Sequence, residues 1–188
     1  MQAATTPQVK WTVEDYHRMI KAGILDERKA ELLVGEICTM APEGAPHAQR
    51  SGSLADELYD QLKKRALVRK AAPITLPNYD SEPEPDVAIV QGSWADYAER
   101  QPNAEDILLL VEVSQSTLAK DTGLKRKLYA EAGISDYWVI DIKNSKLIVF
   151  RGSENGDYQS KTVLVEGNIT PLAFPDITLS VSKVIKGR

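Results

Sequence analysis

Residues 107–113 read Ile-Leu-Leu-Leu-Val-Glu-Val, and they constrain the fold more than any other stretch of this chain. A near-continuous apolar run of this length predicts a strand covered on both faces, as at the centre of an α/β sheet. Helices must then flank the sheet. The same run carries Glu112 next to its end. A buried carboxylate is costly unless it is paired, hydrogen-bonded or bound to a metal. Glu112 is therefore either a rim residue paired with a nearby lysine or a residue placed for chemistry.

The segments around this strand supply the rest of the pattern. Thr117 to Ala132 predicts a helix closed by Gly133, and Asp-Tyr-Trp-Val-Ile-Asp at 136–141 predicts another buried strand. A strand-helix-strand unit calls for a right-handed crossover and a partly parallel sheet. Upstream, Leu54, Leu58, Leu62 and Ala66 recur at four-residue spacing and predict a helix over His47–Ala66. An extended segment from Leu67 follows, then a short strand Val87–Val90, which prolines 83 and 85 approach in extended geometry. Thr12, with Asp15 three residues on, caps a helix that Gly23 closes. Leu32–Val34 and Ile37–Met40 predict a strand pair around a turn at Gly35-Glu36. The alternating segments 146–151 and 158–167 predict a hairpin, and the tail from Phe174 one more short strand. From residue 47 to 141 the order is helix, three strands, helix, strand. The expected fold class is α/β, a mixed sheet flanked by helices, in a single domain over residues 1–188.

Composition narrows the function classes. No apolar run reaches the ~18 residues of a membrane span, and the opening MQAATTPQVKW has no signal-peptide pattern. Cys38 is the lone cysteine, which excludes an internal disulfide framework and a cysteine-built zinc site. The cytoplasm is the expected compartment, with no membrane partner. The formal net charge of −4 weighs against a dedicated DNA-binding protein but suits a carboxylate-rich site. The basic stretches Lys63-Lys64-Arg65 with Arg69-Lys70, and Lys125-Arg126-Lys127, read as solvated faces.

Three acids touch predicted strands: Glu31 before Leu32-Leu33-Val34, Asp86 before Val87–Val90, and Glu112. Two acids on adjacent strands can point into one cleft and hold a hard cation such as Mg²⁺, which prefers oxygen ligands and keeps several waters. Such a cation acidifies its water and stabilises charge on a phosphoryl oxygen. A lysine nearby would orient the attacking water and offset transition-state charge. Two residues after Glu112, where such a lysine would usually stand, the chain has Ser114. Lys125 and Tyr129 lie one turn apart on the following helix and face the same way, so Lys125 can return to the site. His47 reads as a helix N-terminal residue, Tyr129, Tyr137 and Trp138 as core or rim aromatics, Asp141 as a turn residue, and Cys38 as a packed small hydrophobe.

The ordered set Glu-Leu-Leu-Val-Gly-Glu-Ile at 31–37, His47, Glu-Pro-Asp-Val-Ala-Ile-Val at 84–90, Leu-Val-Glu-Val-Ser-Gln-Ser-Thr at 110–117, Asp121/Lys125/Tyr129 and Ala-Gly-Ile-Ser-Asp-Tyr-Trp-Val-Ile-Asp at 132–141 resembles the PD-(D/E)XK nuclease superfamily. More closely it resembles the Uma-two group of bacterial endonucleases. The resemblance implies a restriction-endonuclease-like αβββαβ core and a metal-dependent endonuclease, with Mg²⁺ or Mn²⁺ as cofactor and nucleic acid, DNA first, as substrate. It implies Asp86 and Glu112 as metal ligands, the Val113 carbonyl as backbone ligand, and Glu31 as an additional catalytic acid. Lys125 would be the displaced catalytic lysine, with Lys127 the weaker choice, and His47 an accessory residue beside Tyr129. A homodimer, each subunit cutting one strand, fits small nucleases of this kind, and the strand-rich C-terminal region is a candidate interface. The alternative is a nuclease-like fold that binds nucleic acid or a protein without cutting it.

Overall fold

The computed structural model describes residues 9–40 and 42–187; the opening segment to Gln8, read above for a leader pattern, lies outside them. Helix α1 (Val13–Lys21) begins in the predicted capping box. The Thr12 hydroxyl accepts from the Asp15 N–H, and the Asp15 carboxylate accepts from the Thr12 N–H. Gly23, at φ +72°, turns the chain out of the helix.

Strands β1 (Ala30–Leu33) and β2 (Glu36–Thr39) form a separate antiparallel hairpin, with Leu33 opposite Glu36. The turn is Val34-Gly35, one residue earlier than expected. Both residues have positive φ (50° and 74°), the geometry of a two-residue type I′ turn. Helix α2 (Ala45–Leu62) starts after Gly44, with Pro46 in its first turn, and buries Leu54, Leu58 and Leu62.

Six strands make the main sheet, in the order β3-β4-β5-β6-β7-β8. They are β3 (Leu67–Lys70), β4 (Val87–Val90), β5 (Ile107–Ser114), β6 (Asp136–Asp141), β7 (Lys146–Glu154) and β8 (Asp157–Leu164). Only β5 and β6 pair in parallel; every other neighbouring pair is antiparallel. The crossover between β5 and β6 is helical but not uniform. It runs through α3 (Leu118–Lys120), a π-helical turn over Asp121–Lys125, and α4 (Arg126–Glu131). Gly133 at φ +83° ends it, as predicted, and the Ile134 N–H closes back onto the Tyr129 carbonyl at 3.0 Å.

Strand β5 is central and buried along nearly its whole length, as its composition requires. Leu109, Val111 and Val113 pack with α2 residues on one face. Leu110 packs with Leu128 and Tyr129 of α4 on the other.

The tail holds the short strand expected after Phe174, as β10, and adds a helix that was not expected. Strands β9 (Asn168–Ile169) and β10 (Leu179–Ser180) pair briefly, and helix α5 (Val181–Lys186) follows. Val181, Val184 and Ile185 stand at helical spacing and join Leu54 and Leu58 of α2 in one core. Their β-branched character suggests strand in isolation, and tertiary packing overrides it.

Candidate active site

The register of β4 and β5 places the two strand acids. Val87 lies opposite Val111, so continuing the ladder by one residue sets Asp86 opposite Glu112. Ala88 and Leu110 belong to the core on the α4 side. Side chains alternate along a strand, so Asp86 and Glu112 share that face. Directly opposed residues have Cβ atoms roughly 4.5–5.5 Å apart. Both acids line one cavity of about 250 Å³ with Glu31, Glu84, Lys120, Asp121 and Lys125.

Each of the two acids has one oxygen anchored and one left open. Asp86 Oδ2 accepts from the Val113 N–H at 2.6 Å and lies 3.2 Å from His47 Nε2. Glu112 Oε1 accepts from Lys125 Nζ and from the Tyr129 hydroxyl, both at 2.9 Å. Among the described residues, nothing bonds Asp86 Oδ1 or Glu112 Oε2. The helix lysine and tyrosine thus reach the same carboxylate oxygen, as their four-residue spacing predicted. Lys125 is almost wholly buried and also pairs with Glu31 Oε2 at 2.9 Å, while Glu31 Oε1 pairs with Lys120 at 2.7 Å. Lys127 is exposed and pairs with Glu131, away from the cavity.

Backbone alternation decides what Val113 can offer. The Asp86 carbonyl accepts from the Ala71 N–H, so it faces β3; the Ser114 carbonyl accepts from the Ile142 N–H, so it faces the β6 side. Pro85 and Val113, one position away from each, therefore turn toward one another. Proline has no N–H, and the Val113 carbonyl is left without a ladder donor from β4.

The charges are unbalanced. The cavity is lined by Glu31, Glu43, Glu84, Asp86, Glu112 and Asp121 against Lys120, Lys125 and His47. Burial pushes the Glu112 carboxyl well above the usual range, the neighbouring acids add to this, and Lys125 opposes it. Burial alone would lower Lys125, but the Glu112, Glu31 and Asp121 carboxylates outweigh it and hold the ammonium charged. Burial would raise Glu31 too, yet Lys125 and Lys120 hold it below its ordinary value. Asp86 raises His47 by hydrogen bonding, against an opposing effect of burial.

Among the described residues, no three His, Cys, Asp or Glu side chains converge closely enough to cage an ion by themselves. Two open carboxylate oxygens, a free backbone carbonyl and room for waters fit a hard, hydrated cation better than a closed cage.

Several residues at the cavity were not singled out from the sequence as site residues. Lys120 and Glu84 line it, and Asp121 accepts from the Ser114 and Thr117 hydroxyls, both at 2.6 Å. A signal for Glu84 existed: Glu82, Glu84 and Asp86 alternate with prolines, and extended geometry sends all three to one side. Glu82 is spent elsewhere, accepting from Thr75 and contacting His17. The basic stretches are solvated at Lys63, Lys64 and Lys127, but not at Arg69 or Lys125, both of which are buried. Asp141 is a turn residue, accepting from the Asn144 backbone and side chain.

A family model named Uma2, described as "Putative restriction endonuclease", matches residues 13–182. The chain belongs to the Uma2 family. Its fold is shared with a protein from Anabaena variabilis whose crystal structure is titled as that of a putative nuclease. The two superpose with a TM-score of 0.69 at 15% identity, over 86% of this Uma2 chain and 92% of that one. No curated protein matches the chain. Among the described residues no helix is long and apolar enough to cross a membrane.

Proposed function

We propose that this Uma2 chain is a divalent-metal-dependent endonuclease that hydrolyses phosphodiester bonds in nucleic acid, DNA being the expected substrate. The observation that carries the reading is the opposed pair Asp86 and Glu112, each with one oxygen fixed by the protein and one open to the cavity. Asp86, Glu112 and the Val113 carbonyl would hold Mg²⁺ or Mn²⁺. When bound, the ion supplies an acidified water and charge stabilisation at the phosphoryl oxygens.

The chain's own groups have separate tasks. Lys125 keeps its proton, so it acts as a fixed positive charge and hydrogen-bond donor toward a water or phosphoryl oxygen, not as a base. Glu31 holds Lys125 against Glu112, and Lys120 holds Glu31 from the solvent side. Tyr129 fixes the Glu112 oxygen that faces away from the ion. His47 fixes Asp86 in the same way. Cutting both strands of a duplex takes two such sites, so the reading includes a homodimer, which light scattering tests, and action in the cytoplasm.

The decisive assay incubates the purified protein with single- and double-stranded DNA and with RNA, in Mg²⁺, Mn²⁺ or EDTA, beside Asp86→Ala and Glu112→Ala. Metal-dependent cleavage lost in both variants is the expected result. Cleavage that survives both substitutions refutes the site. Binding without cleavage of any substrate would leave a nuclease-like binding module.

A further inference from the structure

Arg69 stands apart from the site just described. It lies on the edge strand β3, opposite Ala88 of β4, and is only 5% exposed. One of its nitrogens, Nη2, donates to Gln101 Oε1 at 2.6 Å. Its Nε and Nη1 are buried with no hydrogen-bond partner, and among the described residues no carboxylate pairs with it. The neighbouring Arg100 is neutralised by Asp106 at 2.6 Å, so that acid is already committed. Burial pushes the Arg69 guanidinium down, yet arginine does not give up its proton in proteins. A charged group held in the interior without a counter-charge is among the most costly arrangements a fold can keep.

What covers it is aromatic. The guanidinium carbon lies 5.7 Å from the Trp94 ring centre and 5.8 Å from that of Tyr97. Trp94 is 62% exposed, on a short turn held by the Ser93–Asp96 capping box and entered through Gly92 at φ +79°. The turn is anchored through the Tyr97 hydroxyl, which donates to the Gln91 carbonyl. The Trp94 indole is left as an open face above a buried cation.

The placement relates to the cavity. Ala88 and Asp86 share a face of β4, and Ala71, two residues beyond Arg69, bonds the Asp86 carbonyl. The Arg69 backbone is thus offset roughly 7 Å from Asp86 along the strand, while its guanidinium reaches the 94–101 turn that follows β4, outside the cavity lining; an extended oligonucleotide of several nucleotides spans both.

We propose that Arg69 is a second phosphate-binding point for the substrate strand, with the Trp94 indole as the surface on which a neighbouring base stacks. The proposal rests on the nuclease reading only in taking a nucleic-acid strand as the ligand. The missing counter-charge is then a backbone phosphodiester. Trp94 tilts on its turn to admit it, exchanging its contact with the guanidinium for a contact with a base.

The test measures binding of a labelled single-stranded oligonucleotide in EDTA, over a range of salt, by fluorescence anisotropy. Arg69→Met is expected to make the slope of log affinity against log salt shallower by roughly 0.7, one phosphate's share on a single strand. Arg69→Lys, which keeps the charge, retains the slope. Trp94→Ala, at an exposed position that the fold does not need, weakens binding about tenfold. Wild-type affinity and slope in both Arg69→Met and Trp94→Ala overturn the proposal, as does a wild-type protein that does not bind the strand. Stabilisation by inorganic phosphate with no oligonucleotide binding also overturns it, in favour of a free-anion site. Cleavage assays beside these separate the two readings. Cleavage lost in Asp86→Ala with Arg69 and Trp94 inert sinks this proposal alone. Binding that depends on Arg69 and Trp94 with no cleavage by the wild type sustains it while the nuclease reading falls.

Discussion

Replacing Lys125 with methionine tests the electrostatics of the cavity directly. Methionine fills a similar volume and removes the ammonium that pairs with Glu31 and Glu112 at 2.9 Å each. Glu31 keeps Lys120 at 2.7 Å, but Glu112 is left with only the Tyr129 hydroxyl. Stranding one member of a buried ion pair costs about 3–5 kcal/mol, and for a chain of this size each kcal/mol lowers Tm by roughly 2–4 °C. The expected loss in EDTA at pH 8 is therefore about 6–20 °C by calorimetry. The sign of the pH dependence follows from the stranded acid. Without the lysine, burial raises the Glu112 carboxyl further, so the destabilisation is full where the group must ionise. It fades as pH falls through that raised value, and the deficit against wild type narrows from pH 8 to pH 5. Adding Glu112→Gln to the same chain removes the stranded charge, keeps an acceptor for Tyr129, and should recover about 2–3 kcal/mol. A single-variant deficit below about 1 kcal/mol, or one that does not change with pH, would mean that burial has already neutralised Glu112 and that Lys125 is not what holds it.

Three further outcomes follow from the geometry. Tyr129→Phe removes one donor to a buried carboxylate and should cost about 1–3 kcal/mol by urea unfolding, with a measurable drop in any cleavage rate. Val34→Asn should raise Tm, because a β-branched residue at φ 50° is strained by about 1–2 kcal/mol and Asn-Gly suits this turn. Arg100 holds the Asp106 carboxyl below its ordinary value by hydrogen bonding. The pair's contribution is therefore present above the unfolded aspartate value of about 3.9 and is lost as pH falls through the depressed folded value. Arg100→Ala should flatten that part of the acid-unfolding curve followed by circular dichroism.

The β5 run and the β7–β8 hairpin were legible because their periodicity is local and strong. The α5 tail was not, because over six residues the helical spacing of Val181, Val184 and Ile185 is too short to outweigh their β-branched composition, and the face they form shows only against α2. At the site, the acids of β4 and β5 and the helix pair Lys125/Tyr129 could be read from spacing. Lys120 could not, since its role depends on reaching Glu31 from another part of the chain. Arg69 was hidden for the same kind of reason. A lone arginine in a basic stretch reads as solvated, and only the 94–101 turn folding over it makes it buried.

Pro85 gives the cavity a property that no catalytic side chain supplies. At nearly any other residue the backbone would carry a hydrogen atom toward Val113, and the ladder would close over its carbonyl. The unpaired oxygen of Val113 exists because of an omission. A chain with every charged residue intact but alanine at 85 would keep its ionisable groups and could still close the ladder over that oxygen.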